Sequence, residues 1–368
     1  EKSYNTNIGI DAAFLNNRID VSMEYYNTKT KDVIWNKALP VINGAFSPDG
    51  GPKANYTTNL NMCETSNKGF ELALNTRNII TKNFTWSSSV TFNHNKEKIT
   101  KLSGGDSDVL NNGDTGYALA LGEAINSYYH YKLDGVWQKG EETDAAVFGA
   151  APGDLKINIP NLVKESDGRF YKIDEETGSA AVDENGNVIY YTSDNKYTPS
   201  DADYQILGHN SPDWSLGFQN NFTWKDFDLS VFVYARYGQM FAYDMLTSYD
   251  PKGIRNFPTY FNYWTENNPS NDFPAANANK GLEQYTGYYA LRYVDGSFIK
   301  IKNITLGYSL PKSILKSAGI EKCRFYATIT NPFVFAKSHL LKDYDPEMNG
   351  SLKYPLTKQF VFGVNVTF

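Results

Sequence analysis

Cysteine is nearly missing from this chain: Cys63 and Cys323 are the only two. They are too few for the disulfide framework that staples small secreted domains, so free thiols are expected. Histidine is almost as scarce. His94, His130, His209 and His339 stand far apart, and none has the spacing of a helical zinc site, which removes that class of metal centre. Long apolar runs are lacking too, since nothing approaches the roughly 18 residues of a membrane-crossing helix. No run of Lys or Arg occurs, and a net charge of −6 with pI near 5.4 leaves no footprint for nucleic acid. The opening Glu1-Lys2-Ser3-Tyr4 carries no export leader and leads almost directly into a strand pattern. The expectation is the C-terminal portion of a longer exported protein.

What the chain has in plenty is aromatic side chains. Tyr 27, Phe 22 and Trp 6 make up 15% of 368 residues, while apolar residues as a whole reach only 41%. That combination suits strands with one apolar face, aromatic girdles and long polar loops. The chain's end shows the pattern most clearly: Phe360, Phe362, Val364, Val366 and Phe368 alternate with Val361, Gly363, Asn365 and Thr367. Successive side chains of a strand point to opposite faces, so one face is wholly apolar and the other mostly small or polar. Two readings compete. The first is the last strand of a soluble sandwich, buried against a second sheet; the second is a transmembrane barrel strand, roughly 9–11 residues long with lipid on one side.

The same alternation recurs along the chain. Ile8, Ile10, Ala12 and Phe14 oppose Asn7, Gly9, Asp11 and Ala13; after a turn at Asn16-Asn17, Ile19, Val21, Met23 and Tyr25 return, with an extension as far as Trp35. Further strands are predicted over 70–75, 84–93, 117–121, 126–137, 214–223, 227–236, 300–310, 324–330 and 360–368. That is about eleven in all. In the strand from Phe84, the second face (Thr85, Ser87, Ser89, Thr91, Asn93) contains no hydrophobe and suits a wet lumen. Lys300 and Lys302 share a period-two face with Ile304, Leu306 and Tyr308, which is acceptable only at headgroup height or above.

Loop lengths separate the two readings. Connections alternate between short ones (Asn16-Asn17, 80–83, Gly122-Glu123, 224–226, 311–321) and long ones (36–67, 97–115, 138–208, 239–296, 333–357). The long acidic stretch 138–208 is expected to hold small hairpins at most, and 311–321 a single helical turn. Short periplasmic turns and long extracellular loops are the rule of outer-membrane barrels, and a sandwich has no reason to keep its long loops at one end. An odd strand count leaves sheet edges that lipid does not tolerate, so the remaining strands are expected from residues outside this chain.

A series of segments carries a family resemblance: Leu207-Gly208, Ser211-Pro212 and Trp214-Ser215-Leu216-Gly217-Phe218; Phe227-Asp228-Leu229-Ser230 ending at Arg236-Tyr237-Gly238; and the run from Asp295 through Ile299-Lys300-Ile301-Lys302-Asn303 to Pro311. It continues with Asn331-Pro332-Phe333, Asp345-Pro346-Glu347, Tyr354-Pro355 and the terminal Phe368; Gly122-Glu123-Ala124-Ile125 belongs with it. In this order they resemble SusC/RagA-like TonB-dependent transporters of Bacteroidota. The resemblance implies an all-β, antiparallel transmembrane barrel of 22 strands, with residues 1–368 supplying its C-terminal half. It implies a cell outer-membrane location and import of oligosaccharides or peptides. It also implies a plug domain and a TonB-contacting segment in the N-terminal remainder of the receptor, and a SusD-like surface lipoprotein as lid. Neither enzyme chemistry nor a cofactor is implied.

Candidate contact residues for substrate or lipoprotein are Trp137, Tyr260, Tyr263, Trp264 and Tyr285, because aromatics in long polar loops are less expected than aromatics in strands. The alternative is that they anchor loop packing. Phe360, Phe362, Val364, Val366 and Phe368 form the barrel terminus and are expected to touch outer-membrane lipid. Asp343, Asp345 and Glu347 suit a solvated turn or a loop tether better than a cation site, and Asp167-Gly168 lacks the spaced ligands of a calcium loop. A surface adhesion module and a passive porin remain as rivals; a detergent requirement tests the first, an upstream plug the second.

Overall fold

The computed structural model describes residues 1–38, 57–102, 109–111, 117–248, 258–316 and 319–368. Among them, nine long strands form one antiparallel sheet in chain order: β1 (Lys2–Phe14), β2 (Ile19–Ala38), β3 (Thr57–Ile80), β4 (Phe84–Leu102), β5 (Trp214–Trp224), β6 (Phe227–Tyr237), β7 (Phe298–Ser309), β8 (Lys322–Ala336) and β9 (Gln359–Thr367). Each strand pairs with its neighbour in sequence, and the sheet is open between β1 and β9. Tight turns close one end. Leu15, Asn16 and Asn17 all take positive φ, as does Lys225 in the two-residue turn between β5 and β6. The connections 15–18, 81–83 and 225–226 lie at that end, with the described part of 310–321; the described parts of 103–213 and 238–297, and 337–358, lie at the other.

The sheet has nine strands where the sequence pattern suggested about eleven. Segments 117–121 and 126–137 do not join it. Tyr117–Ala120 and Ser127–His130 pair with Val109–Asn111 and Gln205–His209 in a separate four-stranded sheet, and Lys132–Val136 pairs with Leu155–Asn158. The reason lies in burial: Ala118, Leu119 and Ala120 are consecutive and all buried, so both faces of that segment are covered and no wet face exists. The alternation of short and long connections survives. Gly122-Glu123 turns within the loops, and 103–213 becomes one long excursion between β4 and β5.

β2, β3 and β4 extend further than the apolar pattern does, reaching Ala38, Thr57 and Leu102 where 36–67 and 97–115 read as loop. Bulges near Asp32 and between Glu64 and Thr65 break the period there. Residues 39–56, 103–108, 112–116, 249–257 and 317–318 of the predicted connections lie outside the described residues.

One face of the sheet carries Ile8, Ile10, Tyr25, Leu306, Phe325, Phe360, Phe362 and Val364, all exposed, with Phe362 at 81%. A sandwich would bury this face under a second layer. Here the main buried cluster lies in the loops instead, around Val136, Phe241, Leu246, Phe261, Trp264, Phe273, Tyr288 and Leu341. The outward face thus has the character of a surface made for an apolar surround.

One expectation about the wall is corrected. The register slips at Lys302, between Phe232 and Val233 on one side and between Ile301 and Asn303 on the other. One extra residue moves everything before it to the opposite face. Ile299 and Ile301 therefore join Ile304 and Leu306 outside, while Lys300 turns inward beside Tyr234 and is fully buried. Sequence periodicity alone had put Lys300 on the greasy side.

Candidate functional site

The inner face of the wall is read off the register row by row. Asp11, Ser22, Ala73, Thr91, Gly217, Tyr234 and Lys300 follow one another across β1 to β7, each directly opposite the next. The adjoining row brings Glu24, Glu71, Asn93 and Ser215 together. Between these rows lies a recess of about 280 Å³ lined by Ser22, Glu24, Glu71, Thr91, Asn93 and Tyr234 among others. It exists because Ala73 and Gly217 are small; a Cβ on Gly217 would meet Thr91 Oγ1 at 2.6 Å. Two tyrosines lie flat on glycines of the neighbouring strand, Tyr26 over Gly69 and Tyr326 over Gly363.

Polar groups on this face bond laterally to one another. Asn93 Nδ2 donates to Glu71 at 3.0 Å, Tyr26 OH to Asn95 at 2.9 Å and Gln219 Nε2 to Ser230 at 2.7 Å; Thr305 and Thr328 hydroxyls lie 2.9 Å apart. The Arg324 guanidinium forks onto Asp228, with Nε donating at 2.8 Å. Such a surface offers a passing solute many weak donors and acceptors. Among the described residues no three metal-ligating side chains converge.

Over the open end, the long connections fold into a canopy with its own core. Phe261 stacks on Phe273 with ring centroids 4.2 Å apart, and Trp264 Nε1 donates to Gln138 Oε1 at 2.9 Å. Trp137 stacks on Phe148 at 5.7 Å and carries the Lys156 ammonium over its ring at 4.4 Å. Tyr285 OH donates to the Ala275 carbonyl at 3.0 Å. Of the five loop aromatics singled out from sequence, Trp137, Trp264 and Tyr285 are therefore buried, Tyr260 packs partly buried against the core, and Tyr263 keeps 40% of its surface. Trp264 and Tyr285 share one core; Trp137 and Tyr285 meet across a 50 Å³ cavity beside Asp154 and Lys280. The stretch 138–208 folds into short strands, as expected, and adds one helix, Glu142–Val147.

Sequence reasoning missed two features of the canopy. His130 stacks on Tyr204 at 4.8 Å with Tyr131 and Tyr293 around it, and its Nδ1 accepts the Tyr131 backbone N–H at 2.8 Å. Burial, with the Arg292 charge nearby, pulls its pKa down to about 4. The imidazole is neutral; the run Tyr128-Tyr129-His130-Tyr131 was the available signal. The second is Asp203, fully buried, which accepts from Lys172 Nζ and Tyr197 OH, both at 2.6 Å. Burial opposes ionisation of Asp203, yet these bonds and the Ser200 N–H outweigh it and hold the carboxyl below its ordinary range.

Canopy and wall are tied at the bulge. Lys300 Nζ donates to Asp345 and, at 2.8 Å, to Glu347, while Lys302 Nζ reaches the other oxygen of Glu347 at 2.6 Å. Desolvation works against the Glu347 carboxylate, but the two lysines win and hold its pKa below the usual value. Asp345 also caps the short 3-10 turn Pro346–Met348 by accepting the Glu347 N–H at 3.1 Å. The tether expected of Asp345-Pro346-Glu347 is present; Asp343 lies instead on a cavity of about 540 Å³ with Lys342 and Lys353.

Residues 1–150 match the family model described as TonB dependent receptor-like, beta-barrel. The whole chain aligns with TonB-dependent receptor P3 of Formosa agariphila at 28% identity, covering 34% of that protein, and with TonB-dependent receptor SusC of Bacteroides thetaiotaomicron at 27%, covering 32%. It spans about a third of the length of these relatives. In fold it matches a chain from the structure of the RagAB peptide transporter, with TM-score 0.70 at 24% identity over all of this chain and 35% of that one. Over its whole length the chain is therefore similar to TonB-dependent receptors, and its fold is that of a part of such a receptor's β-barrel.

Proposed function

We propose that residues 1–368 form the C-terminal part of the barrel of an outer-membrane active importer, contributing the nine strands of the sheet to a barrel of about 22. The remaining strands, the plug and a TonB-contacting segment belong to the rest of the receptor. The cargo is a bulky polar nutrient, an oligosaccharide or a peptide, and a SusD-like lipoprotein covers the mouth. The single observation that supports this best is the contrast between the sheet's two faces: an exposed apolar exterior and a hydrogen-bonding interior that leads up to a folded canopy. A wall polar within and greasy without suits the passage of a hydrophilic solute through lipid.

The test is uptake of fluorescently labelled oligosaccharide and peptide pools by cells with and without the receptor. Uptake that depends on the receptor and collapses when the proton gradient is dissipated supports the reading. Receptor-dependent uptake that ignores the gradient indicates a passive pore, and a protein that leaves the membrane without detergent removes the barrel altogether.

A further inference from the structure

The outward face of β1 to β4 continues past its apolar rows toward the long-connection end, and there it changes character. The last apolar row is Ile8, Tyr25 and Phe70, ending at His94. The next row is Thr6, Asn27, Lys68 and Lys96; above it come Tyr4, Lys29, Ser66 and Lys98, and then Lys2 beside Lys31. Six lysines that are scattered in sequence thus share one patch. All six are exposed, and none has an ion-pair partner among the described residues. Among the carboxylates of the same strands, Glu24, Glu71 and Glu97 are on the inner face; Glu64, one row beyond Ser66 on the outer face, is paired with Lys101 at 3.8 Å, and Asp32 stands in the bulge beside Lys31.

Two of these pairs, Lys68 with Lys96 and Lys2 with Lys31, stand directly opposite across a strand pair. Like charges at that spacing destabilise a sheet, so the arrangement calls for a counter-anion from outside the chain. There is a place for one. Lys68, Lys96 and Lys98 frame a recess of about 340 Å³ together with Tyr25 and Phe70, with the small, buried Ser66 among its lining. The recess is continuous with the greasy band below it, and the exposed rings of Tyr4 and Tyr25 mark the kind of girdle found where hydrocarbon gives way to headgroups. A ligand held here therefore has an anionic head at lysine height and an apolar tail running down past Phe70 and Ile8.

We infer that this face is a binding site for a phosphorylated, anionic lipid of the outward-facing leaflet. The inference rests on the long connections being extracellular. Lysine stems lie along the apolar surface and place their ammonium groups at phosphate level. A second copy of this chain is a poorer occupant, since it would bring the same unpaired lysines against themselves.

The test uses the complete receptor in nanodiscs of neutral phosphatidylcholine and measures binding of a fluorescent diphosphorylated lipid A against the same lipid with its phosphates removed. Wild type is expected to prefer the phosphorylated form. The variant Lys68→Gln/Lys96→Gln/Lys98→Gln is expected to weaken that binding by about a hundredfold, at about fivefold per lysine. Lys139→Gln, on the exposed canopy, is expected to change nothing. Equal affinity of wild type and triple variant overturns the inference. So does displacement of the lipid by inorganic phosphate at matched concentration, which indicates a soluble anion, or loss of a co-purifying acidic protein from the variant with lipid binding intact. Failure of the folded receptor to enter neutral discs overturns the membrane reading beneath it; normal insertion without headgroup preference overturns only the site.

Discussion

The wall and the canopy are made from one chain, but they bury opposite things. In the wall, large apolar side chains such as Phe360 and Phe362 face outward and polar ones line the interior. In the canopy, Phe261, Trp264 and Phe273 face inward, away from solvent, as in a water-soluble domain. The difference teaches that each region was shaped by its own surroundings, and that the boundary between them runs near the level of Lys300. Aromatic side chains therefore stand in different settings: Phe362 of β9 is exposed on the outward face, whereas Trp264 is buried within the canopy core.

The comparison is broken most severely where the regions meet. Lys300→Ala leaves Asp345 and Glu347 partly buried without their main partner, at a cost of about 3–5 kcal/mol. Limited proteolysis should then cut within 337–358 while the strands stay intact. Trp264→Ala is expected to cost a similar ~3–5 kcal/mol, confined to the canopy. It should raise protease sensitivity of 258–297 and leave the heat-resistant mobility of the folded barrel unchanged; altered mobility would show that the two regions are not separable.

The wall's own rule is sharpened by a matched pair. Leu306→Arg on the outward face should destabilise insertion by about 2–4 kcal/mol if it sits near the bilayer midplane, and Thr305→Arg on the inner face much less. Equal costs in folding titrations from urea into liposomes would sink the assignment of faces. The smallest effect is in pH. The pKa of His130 falls from 6.5 to about 4 on folding, so the unfolded form binds more protons between those values, and canopy stability declines as pH drops through that window. His130→Phe should flatten the decline. Asp203, whose folded pKa is depressed, adds a further loss only below its ordinary value of 3.8, as pH falls through its folded pKa.

Much of the wall was legible because alternation has one cause, a two-sided surround. Ile8 to Phe14 and Phe360 to Phe368 show it directly, and nine of the predicted strand segments join the sheet. It failed where that cause stopped acting. Past the apolar band, bulges near Asp32 and between Glu64 and Thr65 break the alternation in β2 to β4, so their upper ends read as loop; within the canopy Ala118, Leu119 and Ala120 are all buried, so both faces are dry in a segment that read as barrel. The turned Lys300 could not be seen at all, because a one-residue bulge leaves no mark in composition. The lysine patch was hidden for a related reason: Lys2, Lys29, Lys31, Lys68, Lys96 and Lys98 become neighbours only through strand register. The loop aromatics were found as unusual, but their sequence gave no hint of which would be enclosed.

The segment 337–358 joins β8 to β9, is pinned by Lys300 and Lys302 of β7, and is hydrogen-bonded through Asn349 to Asn210 at 2.7 Å. It is thus fastened at both ends and twice in the middle, which makes it a fixed sill of the opening. Any shutter over this mouth has to hinge on some other part of the rim.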